Sequence, residues 1–69
     1  MINQEALQRI EKAAADLWGE AVALRKTLGI ESPIVQDVRH SALVLQDLLE
    51  DLTGSKYYYD ADTRKMVEL

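Results

Sequence analysis

Sixty-nine residues, a net charge of −4 and no cysteine set the outer limits. A chain this short buries roughly 60% of the surface its unfolded form exposes, so its own core is marginal. Disulfides and thiolate metal sites are excluded and His40 is the lone histidine, which leaves oligomerisation as the route to extra stability.

With 48% apolar and 29% charged residues, three glycines and one proline, the chain reads as a single globular domain. The start, Met1-Ile2-Asn3-Gln4-Glu5, lacks a basic segment followed by an apolar one, so no secretory signal is read there. Ala42 to Leu45 is too short a run for a membrane span. A cytoplasmic location is the expectation.

In chain order, Asn3 is placed to cap a helix, with Glu5 in its first turn. Apolar residues then recur at Leu7, Ile10, Ala14, Leu17, Ala21, Leu24 and Leu28. The gaps alternate three and four, as in the heptad seam of a packed helix. Arg25 and Lys26 complement the C-terminal dipole, and Gly29 suits a helix end. The first helix is therefore expected over 4–28, a rod of roughly 37 Å.

Ser32-Pro33 forms an N-cap followed by an N1 proline. A second seam follows at Val35, Val38, Ala42, Leu45, Leu49 and Leu52, and Gly54 closes it, giving a helix over 33–53. The intervening Gly29-Ile30-Glu31-Ser32 is short enough to turn the second helix back along the first, as an antiparallel αα-hairpin.

The remaining segment, 56–69, changes character. Lys56-Tyr57-Tyr58-Tyr59 favours a strand, Asp60-Ala61-Asp62-Thr63 a turn, and Arg64 to Leu69 a second strand. A β-hairpin is expected, with a short third helix capped by Asp60 or Asp62 as the alternative. If a bulge sets Tyr59 opposite Lys65, then Tyr57, Tyr59, Val67 and Leu69 share one face. The fold class is thus mainly α: two long helices with a short C-terminal β-hairpin.

Taking Leu7 as an a position, Ala14 and Ala21 repeat at a, while Ile10, Leu17 and Leu24 occupy d. This small–large layering resembles the helical-hairpin dimers of the ROP type, in which two αα-hairpins pair into a four-helix bundle. The resemblance covers the layering alone. Such hairpins have no tyrosine segment like this one, and no functional residue carries over. What it implies is dimerisation into a four-helix bundle.

Apolar side chains exceed what two seams can use. Ala15, Trp18 and Val22 flank the first seam, and Ile34 and Leu48 flank the second, with Leu43 and Val44 further round. A face this broad has to meet the tyrosine hairpin, a second copy or another protein. Trp18 fits either an interface anchor or a residue half-buried in its own fold. Tyr57, Tyr58 and Tyr59 have the ring chemistry of a base-stacking platform, but Asp60, Asp62 and Glu68 offset Lys56, Arg64 and Lys65.

Catalytic signatures are missing. Ser32, Ser41 and Ser55 have no glycine-framed elbow, and no glycine loop suits a phosphate. His40 falls at f, pointing outward, so Asp37-Val38-Arg39-His40 is read as structural, not as an inward Glu-x-x-His pair. Glu50 and Asp51 point apart on a helix and are no dyad. They lie near a helix C-terminus, where negative charge is unfavourable, which suggests a basic partner surface.

The expectation is a non-catalytic, homodimeric protein-interaction module, an adaptor, scaffold or regulator without a cofactor or metal. Ala15, Trp18, Val22, Ile34, Leu48, Tyr57, Tyr58 and Tyr59 are the candidate contact residues. A regulator that binds or mimics nucleic acid is the alternative, and an enzyme site assembled between chains a third reading.

Overall fold

The computed structural model describes residues 3–69; Met1 and Ile2, part of the start segment read above, lie outside the described residues. Helix α1 spans Gln4–Leu28 and α2 spans Pro33–Thr53, followed by strands β1 (Tyr57–Asp60) and β2 (Lys65–Glu68). Both helices have the bounds that their seams and caps predict. Asn3 is extended, and its side-chain oxygen accepts the Ala6 N–H at 2.8 Å. Gly29 ends α1 at φ 88°, ψ 158°, a region essentially confined to glycine. Gly54 ends α2 in the left-handed conformation at φ 73°, ψ 10°. Ser32 makes no side-chain cap bond, so α2 begins on the proline alone.

The two helices lie antiparallel, packed through their a positions. Ala14 and Ala42 are fully buried, and Ala21, Val35 and Leu49 nearly so. Alanines on both helices let the two backbones approach closely. Leu49 is the only large side chain among the described residues that is essentially sealed from solvent. The d residues Ile10, Leu17, Leu24, Val38 and Leu45 are only half-buried.

The last segment forms a two-stranded antiparallel hairpin, not a third helix, and lies on one side of the helix pair, β2 over α1 and β1 over α2. Its register corrects the sequence-based expectation. Tyr59 pairs with Met66, not Lys65, and Tyr57 pairs with Glu68. Paired residues share a face, so Tyr57, Tyr59, Met66 and Glu68 point toward the helices, and Tyr58 and Val67 point away.

The turn explains the difference. The Asp60 carbonyl accepts the Arg64 N–H at 2.7 Å, and its carboxylate accepts the Asp62 N–H at 2.9 Å. Arg64 adopts φ 59° and so belongs to the turn, not to a strand. A four-residue loop, Ala61 to Arg64, then leads straight into the Asp60–Lys65 pair without a bulge. Met66 is thereby delivered onto Ala14, Ala15 and Leu49, with Leu7, Ile10, Trp18, Leu45, Tyr57 and Tyr59 packed around that cluster.

Candidate interaction surfaces

The eight candidate contact residues divide between two sides of the helix pair. Ala15, Trp18, Tyr57 and Tyr59 serve the chain's own packing. Ala15 is buried beneath Met66. Trp18 stacks on Tyr59 with ring centroids 6.5 Å apart and planes inclined by 19°. Val22 is half-buried. Tyr58 projects from the outer face of the sheet, beside Val67.

The roof is fastened by Gln46, a residue that sequence reasoning passes over. Trp18 Nε1 donates to Gln46 Oε1 at 2.9 Å, and Gln46 Nε2 donates to the Tyr57 carbonyl at 3.0 Å. One amide therefore ties α1, α2 and β1 together. Nothing local marks it, since glutamine is ordinary on a helix and its meaning comes from partners 28 and 11 residues away.

Glu50 acts one turn later. Its Oε2 accepts the Tyr57 N–H at 2.8 Å, while Oε1 lies 3.9 Å from Lys56 Nζ. The carboxylate that sits badly with the helix dipole thus has an internal role, holding the start of β1. Gly19 is also explained in three dimensions: a Cβ there would come within 3.2 Å of the Tyr59 hydroxyl oxygen.

Replacing Gln46 by leucine keeps the volume but leaves the Trp18 N–H and the Tyr57 carbonyl without partners. The expected loss is about 1–3 kcal/mol, read as a lower melting temperature together with a red shift of Trp18 emission as the sheet loosens. An unchanged melt and spectrum would show that the amide fastens nothing.

The Tyr57 phenol titrates above its ordinary value of 10.0, chiefly because burial disfavours the charged form; the Thr53 hydroxyl works against this, and the Glu68 carboxylate, which accepts its hydrogen bond at 3.3 Å, adds to it. A raised value means that the neutral form is favoured on folding. This contribution is present in full below the unfolded value and is lost as pH rises through the folded one.

The opposite side of the helix pair carries no roof. Leu48 follows Gln46 by two residues, which places it about 200° further round α2, away from the sheet. Ile34, Ser41 and Leu48 form one line down this flank, and Val38, Leu45 and Leu52 the adjacent line. Ile34 is 57% exposed and Leu48 41%; Leu52 and Val44 are exposed as well. None of the six residues on these two lines is charged.

Among the described residues, no group of three or more histidine and carboxylate side chains is arranged to hold a metal ion, and no buried polar side-chain atom lacks a partner. His40 is exposed. No described helix is long and apolar enough to cross a membrane. No family model matches this chain, and no match is found among curated proteins or solved structures.

Proposed function

We propose that the protein is a non-catalytic interaction module that self-associates through the unroofed flank of α2, two helix pairs closing into a four-helix bundle. The observation that carries this reading is that α2 has two interleaved heptad seams. Val35, Ala42 and Leu49 pack against α1, whereas Ile34, Ser41 and Leu48 repeat the same spacing on the exposed side. Val38, Leu45 and Leu52 lie between the two lines and serve both.

A helix in a four-helix bundle touches two neighbours and needs two such lines; a helix in a simple hairpin needs one. A second copy supplies a matching line by symmetry, since a twofold interface presents the same patch from both partners. The sheet, on the far side, stays clear of that contact. A rod of 39 × 22 × 19 Å with one side roofed and the other lined with leucine and isoleucine is suited to scaffold or adaptor work, in which the dimer presents two copies of the roofed side to protein partners.

Association makes stability depend on concentration. Thermal unfolding measured at two protein concentrations a hundredfold apart is expected to differ by roughly 5–10 °C for a dimer of chains this size. Coincident melts would remove self-association from the account.

A further inference from the structure

The turn end of the helix pair contains a cavity of about 230 Å³, next to the sheet and sharing Trp18 with it. Its floor is Ala21 and Val35, both buried, its wall is Trp18 and Val22, and Arg25 and Arg39 stand at its rim. No carboxylate lines it. Among the described residues, neither arginine has an acidic partner within 4.0 Å, although Arg9 and Lys12 on the same protein each do.

Arg25 lies in the last turn of α1, where the terminal carbonyls favour a cation. Arg39 lies toward the positive end of α2, where a cation gains nothing from the helix field. Two guanidinium groups without an acidic partner thus stand over an apolar floor, on a chain whose net charge is −4.

We infer that this cavity is a docking site for a short acidic segment of another protein, with one apolar side chain seated on Ala21 and Val35 beside Trp18 and flanking carboxylates held by Arg25 and Arg39. Guanidinium groups pair with carboxylates through two parallel hydrogen bonds, so they give such a segment its orientation as well as its charge match. The volume favours a peptide side chain over a free small molecule, whose sites run to roughly 300–1,000 Å³. A nucleic acid would meet two cations on an otherwise acidic surface, far fewer than phosphate-backbone binding uses. The site is separate from the self-association flank and does not depend on it.

Trp18 is the only tryptophan, so its fluorescence reports directly from the cavity wall. The test is selection from a random hexadecapeptide phage library against the folded protein, followed by fluorescence titration of the recovered peptides against the native chain and an Arg25→Gln, Arg39→Gln double variant. Recovered peptides are expected to carry leucine or phenylalanine flanked by aspartate or glutamate, to shift Trp18 emission, to weaken with added salt, and to bind the double variant at least tenfold less tightly while its circular dichroism is unchanged. Single-residue variants serve if the double one is unfolded. Recovery of no peptide, of basic peptides, or of peptides indifferent to both arginines would overturn the inference. So would loss of the dimer in the folded double variant, which would identify a second copy as the occupant.

Discussion

Replacing Leu49 by alanine is expected to cost about 2–5 kcal/mol, toward the upper part of that range. Leu49 is 1% exposed and packs on Ala14, Ala15 and Met66. The buried residues of α1 in that cluster are alanines, which have no side-chain length with which to move into the space left behind. A domain of this size is stabilised by roughly 3–10 kcal/mol in all, at 0.05–0.15 kcal/mol per residue. The substitution therefore removes much of the available stability, and a substantial unfolded fraction is expected at room temperature. Urea titrations of native and variant chains at one matched protein concentration measure the loss. A cost below about 1 kcal/mol would mean that the core is not centred where Leu49, the alanines and Met66 meet.

Replacing Leu48 by glutamate is expected to have the opposite character: little effect on the fold and a large effect on association. Leu48 is 41% exposed within a single chain, so a charge there remains hydrated in the monomer and should change its stability by less than about 0.5 kcal/mol. In the proposed bundle the same position supplies one of the two large side chains of the line between copies, beside Leu45 and Leu52. Each dimer would then bury two like charges without partners. A loss of at least about 3 kcal/mol, a hundredfold in the dissociation constant, is expected, with helix content unchanged. Ile34→Glu should act in the same direction, from the other end of that line. A Leu48→Glu chain that retains the native mass and concentration-dependent melt would show that this flank is not the contact.

The helices were legible in the sequence because their determinants are local. The seams of Leu7 to Leu28 and Val35 to Leu52, the Asn3 cap, the Pro33 start and the two closing glycines each act within a turn or two of their own position. The same periodicity placed Val35, Ala42 and Leu49 in the seam with Ile34 and Leu48 beside it, and those three are the residues of α2 that are buried. What it could not show is how exposed Ile34 and Leu48 remain once the chain's own sheet has taken the other side.

The strand register was not legible because it rests on Arg64 entering a positive-φ conformation, which arginine has no intrinsic tendency to adopt. Once that residue belongs to the turn, Met66 replaces Val67 as the inward side chain. The residues that fasten the roof were hidden for a related reason. Gln46 lies on a helix surface where glutamine is unremarkable, Glu50 was marked only by its unfavourable place near a helix C-terminus and Gly19 only by its poor helix propensity, and each acquires its role from a strand far along the chain. Trp18 drew attention because of its size, yet the half of its environment that faces Arg25 and Arg39 emerged only when the loop had brought α2 back along α1.

Self-association through the unroofed flank of α2 is the claim on which the functional reading turns, and sedimentation equilibrium of the native chain tests it most directly. At tens of micromolar the expected mass is twice that of the 7.8 kDa chain, falling toward the single-chain value on dilution. A folded species that keeps the single-chain mass across the whole accessible concentration range would contradict it.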